Sequence, residues 1–98
     1  MPNIEIHGLG PETAEMARNV FRVVCEALPD LAKDMVVSLC NDLVIDQHDK
    51  NQPFLRVCTT EREDNTGNLL RALKALDLDI EYLVLTSFIS KQTQAGAS

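Results

Sequence analysis

The sequence predicts a small α+β domain: two βαβ units forming a four-stranded mixed sheet with two helices on one face. Three observations carry that prediction. The hydrophobic periods run strand, helix, strand and then strand, helix, strand. The two halves are of similar length and are joined by the polar stretch DQHDKNQ at positions 46–52. The 98 residues leave room for a single core. Residues 1–90 are therefore expected to form one domain, and the aperiodic end KQTQAGAS, within 91–98, a disordered tail.

The first strand is read from Pro2 to His7, because Ile4 and Ile6 alternate with Asn3, Glu5 and His7. Gly8, Leu9 and Gly10 end it. Pro11 suits a first helical position and Glu12 and Glu15 complement the helix dipole. Met16, Val20, Val24 and Ala27 recur at helical spacing, with Arg18, Asn19, Arg22 and Glu26 opposite. Pro29 is expected to stop this helix near Leu28. A second strand is expected from Met35 to Ile45, rich in branched residues, and a third from Phe54 to Thr60 after Pro53. Leu69, Leu70, Leu73 and Leu76 predict a second helix from about Asn65, and Ile80 to Ile89 a fourth strand. Two helices cover one face of such a sheet, yet strands two and four offer apolar residues on both. The uncovered face is therefore expected to pack against other copies of the chain.

Charge and composition narrow the function. Nine Lys and Arg against fifteen Asp and Glu give a net charge of −6, a field that repels nucleic acid and anionic membranes. No apolar run approaches the roughly 20 residues of a membrane span, and residues 1–7 lack a signal-peptide pattern. The expected setting is the cytoplasm. Cys25, Cys40 and Cys58 are odd in number and contain no CxxC pair, so they are expected as three buried, reduced thiols. Nucleotide-binding and nucleophile-elbow motifs are absent, and no cofactor is expected.

Pro2 carries the sharpest chemical possibility. If Met1 is removed, its nitrogen becomes a secondary amine fixed at the start of a strand. An α-amino group titrates at about 7.7–8.0, and burial or a nearby cation lowers that value, favouring a neutral base near pH 7. A βαβ crossover sets the start of strand two, with Lys33 just before it, at the same sheet edge. An antiparallel third strand would bring Thr59, Thr60 and Arg62 there too. Lys33 and Arg62 are thus candidates to bind a substrate carboxylate or a developing enolate. His7 is read as a hydrogen-bonded interface residue and His48, between Asp46 and Asp49, as a solvated turn, so no metal is expected. Arg56, between Phe54 and Cys58 on one strand face, is expected to pair with Glu5, Asp42 or Glu81.

The opening MPNIEIHGL, the two βαβ halves and the length resemble the tautomerase superfamily, which includes 4-oxalocrotonate tautomerase and macrophage migration inhibitory factor. The chain is most similar to its small uncharacterised bacterial members, with their MP start and a strand like PFLRVCTT after a polar loop. The likeness spans about residues 2–89. It implies a homotrimer of packed sheets, an amino-terminal proline as base, and isomerisation of small 2-oxo acids or related enolisable carbonyl compounds. Pro2 matches the catalytic position, and Lys33 falls near the lysine of the migration-inhibitory branch. Where 4-oxalocrotonate tautomerase carries a substrate-binding arginine after its first strand, this chain has Gly10, Pro11 and Glu12. After strand three it reads TTEREDN, whose Glu61 and Glu63 would raise the amine's pKa and repel an anion. Two further readings fit the pattern: a noncatalytic homo-oligomer of the same fold that serves as a structural or partner-binding module, and a ferredoxin-like ligand-binding regulatory domain.

Overall fold

The structure, a computed structural model, describes residues 2–60 and 66–85. Four strands, β1 (Asn3–His7), β2 (Val36–Leu39), β3 (Phe54–Thr60) and β4 (Asp79–Leu85), form one sheet in the order β2-β1-β3-β4. β1 runs parallel to β2 and antiparallel to β3, and β3 runs parallel to β4. Each βαβ unit keeps its own strands adjacent. The split arrangement of a ferredoxin-like domain would insert a strand of the other unit between them, so that reading is set aside.

The strand period assigns the two faces. Ile4, Ile6, Leu55 and Val57 point inward and meet Val20 and Val24 of α1 (Thr13–Ala27) and Leu69 and Leu73 of α3 (Thr66–Leu73), all fully buried. Asn3, Glu5 and His7 of β1 alternate with them and share the outer face with Phe54, Arg56 and Cys58 of β3.

The helical layer differs from the expectation at one proline. Pro29 does end α1, but it also opens a further short helix, α2 (Pro29–Asp34). A residue before proline is driven out of the helical region, and Leu28 sits at φ −140°, ψ 67°. Proline itself suits a first helical turn, so helix formation resumes at once. Single 3₁₀ turns at Gly10–Glu12 and Lys74–Leu76 complete the layer.

β2 is four residues long rather than the eleven expected from Met35 to Ile45. The cause is its partner. β2 is an edge strand that pairs with β1 alone, and β1 stops at Gly8, which turns away at φ +81°. With no ladder left to join, the apolar residues after Cys40 leave the sheet, and Leu43 and Ile45 stay exposed. A bridge between Ile45 and Asn51 then closes a turn in which the Asp46 carboxylate accepts the backbone N–H groups of His48 and Lys50.

The thiols also depart from expectation. Cys58 is buried, Cys40 half-buried and Cys25 exposed, because Cys25 falls on the wet side of α1. The outer sheet face is not the continuous apolar surface expected. Charged groups occupy its centre, and the exposed apolar side chains that share its parity, Val36 and Leu83, lie on the edge strands β2 and β4; Leu39, Tyr82 and Val84, also exposed on those strands, follow the inward parity. The predicted end of the fourth strand beyond Leu85 and the tail 91–98 lie outside the described residues.

Gly8 is the position where the turn depends on a missing side chain. A Cβ there would sit 3.0 Å from Pro53 Cα and 3.4 Å from Val44 Cβ, at a positive φ. Gly8→Ala is expected to destabilise the fold by about 1–3 kcal/mol, the cost of a non-glycine residue held in a sparsely allowed backbone region. Urea unfolding followed by circular dichroism measures it, and an unchanged midpoint would refute the account.

Candidate functional site

Pro2 precedes β1 and is fully buried. Its carbonyl oxygen accepts the Val36 N–H at 3.0 Å, which ties it to the start of β2. β1 and β3 pair Asn3 with Cys58, and one more step of that register sets Pro2 opposite Thr59. Thr59 is buried, and its hydroxyl shares a 3.0 Å hydrogen bond with the Tyr82 hydroxyl from β4. Pro2, Thr59 and Tyr82 follow the inward parity of Ile4, Val57 and Ile80, so two hydroxyls stand on the same face and at the same end of the sheet as Pro2. While Met1 is attached the Pro2 nitrogen is an amide, and removal of Met1 makes it an amine.

The predicted cations are placed differently. Lys33 lies in the last turn of α2, three residues before Val36, so the backbone does bring it towards the start of β2. Its side chain is 77% exposed, and its ammonium lies 3.8 Å from the Asp30 carboxylate on the same helix. Arg62, with Glu61 and Glu63, lies outside the described residues. Tyr82 was legible only as one more inward position of the fourth strand. Its signal is that it is the single tyrosine of the chain, an apolar ring with a polar tip that can reach a hydroxyl on the neighbouring strand.

A second constellation lies on the outer face, at the opposite end of β1. His7 is buried between two carboxylates: its Nδ1 is 2.6 Å from Asp42 Oδ2 and its Nε2 is 2.7 Å from Glu5 Oε1. Its ring stacks on Phe54 with centroids 4.7 Å apart and planes 6° from parallel. Glu5 also accepts from Arg56 at 3.2 Å, and Arg56 donates in turn to Glu81 at 3.2 Å. The expected Arg56 partners Glu5 and Glu81 are thus both present, while Asp42 serves His7. Asp42 is held in place by the Gly8 N–H, which donates to its Oδ1 at 2.9 Å. Burial opposes a charge on His7, but the hydrogen bonds to Asp42 and Glu5 outweigh it and raise its pKa above the ordinary histidine value. The same bond to His7 holds the Asp42 carboxyl below its usual range. Burial, with the charges of Glu5 and Asp42, pushes the nearby Cys40 thiol up.

Elsewhere, a shallow cleft lined by Ala27, Leu28, Asn68, Arg71 and Ala72 lies between α1 and α3, on the helical layer. Among the described residues no helix is long and apolar enough to cross a membrane.

Solved structures repeat this arrangement of strands and helices. Macrophage migration inhibitory factor from Toxoplasma gondii covers 88% of this chain and 88% of its own length, with a TM-score of 0.52 and 11% identity. A domain of unknown function, DUF1904, from Sebaldella termitidis also covers 88% of each chain, with a TM-score of 0.57 and 13% identity. A fused wild-type 4-OT, described as a symmetric trimer, covers 87% of this chain and 84% of its own, with a TM-score of 0.52 and 13% identity. The chain has a tautomerase-like fold. No protein-family model matches it, and no curated protein matches it in sequence. At these identities the likeness speaks for the fold alone.

The His7 cluster sets a pH dependence. A raised folded pKa gives stability that is fully present below the unfolded histidine value of about 6.5 and is lost as pH rises through the folded value. Asp42 works in the other direction, its contribution being lost as pH falls through its own lowered value. Wild-type stability is therefore expected to fall above about pH 6.5 relative to His7→Asn. In an NMR titration the His7 ring should titrate above the ordinary histidine value and return towards it in Asp42→Asn. A His7 that titrates at or below the ordinary value in the wild type would contradict this.

Proposed function

We propose that the chain is a small proton-transfer enzyme of the tautomerase-like fold, with Pro2, freed of Met1, as the general base. The proposed substrates are small 2-oxo acids or related enolisable carbonyl compounds. The observation that supports it is the position of Pro2. It opens a central strand, buried, beside a hydroxyl pair that can donate to a developing enolate oxygen. A neutral secondary amine would take the proton next to the carbonyl and return it to the other end of the enolate, which closes the cycle without a cofactor. In this reading Lys33, swung away from Asp30, and Arg62 bind the substrate carboxylate. An exposed pair such as Lys33 with Asp30 is worth at most about 1 kcal/mol, so a substrate anion can compete for Lys33. The free state of the described cysteines agrees with a reducing cytoplasm.

A noncatalytic homo-oligomer is the second reading, and one observation favours it: the Lys33 ammonium is solvated and paired with Asp30. The two readings share a proposed homotrimer. The exposed apolar residues on β2 and β4 supply the surface for it, and the 4-OT neighbour is described as a trimer.

Two measurements test these proposals. Tautomerisation of an aryl 2-oxo acid is assayed on untagged protein whose intact mass shows that Met1 is gone. Pro2→Ala is expected to lower kcat by about 10²–10⁴, the usual loss on removing a general base, while Lys33→Ala raises KM with less effect on kcat. Absent activity on protein with a free Pro2 amine would favour the noncatalytic reading. Light scattering is expected to give three times the 10.9 kDa chain mass, reduced in Leu83→Arg. A monomer in the wild type would remove the trimer.

A further inference from the structure

Three potential metal ligands of different chemistry meet on the outer face, at the end of β1 remote from Pro2. One ligand atom each from Glu5, His7 and Cys40 lies within 4.8 Å of the other two. The register explains the meeting. Glu5 and His7 are two residues apart on one strand and so face the same way, and the Cys40 N–H donates to Ile6 O at 3.0 Å, carrying the β1 and β2 pairing one residue beyond Leu39. We propose that Glu5, His7 and Cys40 form a binding site for a zinc-type divalent ion, with Asp42 as the carboxylate that orients the histidine.

The donor set suits that ion. Imidazole nitrogen, thiolate sulfur and carboxylate oxygen are the ligands zinc takes, and three of them leave a fourth position for water or another ligand. The surroundings already have the form of a metal-histidine site. His7 Nδ1 is hydrogen-bonded to Asp42, whose other oxygen is fixed by the Gly8 N–H. That arrangement points Nε2 towards Glu5 and fixes the ring, as outer carboxylates do for metal-bound histidines. Phe54 stacked on the ring removes its remaining freedom.

The change on binding is small and balanced. Tetrahedral zinc sets its ligand atoms about 3.3–3.7 Å apart, so the widest pair, within 4.8 Å now, closes by up to about an ångström, while His7 Nε2 and Glu5 Oε1, now 2.7 Å apart, separate by about half an ångström. The ion takes the place of the proton between His7 Nε2 and Glu5 Oε1. That proton and the Cys40 thiol proton leave to solvent. Arg56 donates to that same Oε1, so its Nη1 shifts to the free Oε2 of Glu5 as the ion binds. With both protons gone, the charges of Glu5, Asp42 and the Cys40 thiolate face a dication and Arg56, which the fully protonated cluster does not require.

The test uses the untagged full-length chain, stripped of metal with a chelator. Cobalt(II) is titrated in as a spectroscopic probe, and zinc is then competed against a chromogenic chelator. The expected result is one cobalt per chain with a near-ultraviolet thiolate-to-cobalt band. That band should be lost in Cys40→Ser and displaced by zinc. Zinc affinity should fall about 10- to 100-fold in Asp42→Asn, the usual loss for an outer carboxylate, and further in His7→Asn. Cys25→Ser, Cys58→Ser and His48→Ala should leave it unchanged. The wild-type titration does not depend on any variant folding, and circular dichroism checks each variant. Folded wild type without the band, or a band lost in Cys25→Ser and kept in Cys40→Ser, would overturn the proposal. Loss of Pro2 activity would leave these readouts untouched.

Discussion

The structure depends on β1 being paired on both sides. Five residues, NIEIH, hydrogen-bond to β2 along one edge and to β3 along the other, so their register is fixed by two ladders. A slip of one residue would send Ile4 and Ile6 to the outer face and Glu5 and His7 into the core. Burying those two polar side chains without their partners would cost several kcal/mol, so the alternation holds the strand where it is. Pro2 and the His7 cluster are both placed by that register. Pro2 falls at one end against Thr59, and His7 falls at the other against Cys40 and Asp42.

Much of the fold was legible because it rests on periods. The alternation in residues 2–7 and the leucine spacing after Thr66 give element type directly, and Phe54 to Thr60 matched to the residue. What was not legible depends on partners distant in sequence. Residues 36–45 carry strand composition throughout, but a strand needs a neighbour, and its neighbour ends at Gly8. Pro29 misled for a local reason, since proline breaks a helix from inside and starts one from its first turn. Cys25 misled because an apolar stretch on a helix still has a wet side.

The sites follow the same division. Pro2 was legible as a candidate because the chemistry proposed for it follows from chain position alone. Lys33 was brought to the right edge by topology, while its side-chain partner, Asp30, lies one helical turn away, a local pairing that a long flexible side chain reaches easily. The joining of His7 to Asp42, 35 residues apart, needed the exact path of the chain after β2. Asp42 had been weighed for Arg56, which takes Glu5 and Glu81 instead, because cross-strand register puts Glu5 and Glu81 directly opposite it on either side.

The outer face can enter an oligomer in spite of its charges. Burying an unpaired ion is costly, but no buried side-chain nitrogen or oxygen among the described residues lacks a hydrogen-bond partner. Glu5, Arg56 and Glu81 already satisfy one another across three strands, and His7 closes the chain to Asp42. A partner subunit would therefore meet a network that is complete in itself, flanked by exposed Val36 on one edge and Leu83 on the other. The apolar rims would provide the association energy, and the central charges would penalise any docking that displaced Arg56 from its two carboxylates. Such a face favours one orientation over sliding alternatives. A face of leucine and valine alone, as the alternation in strands two and four suggested, would have bound more tightly and selected less.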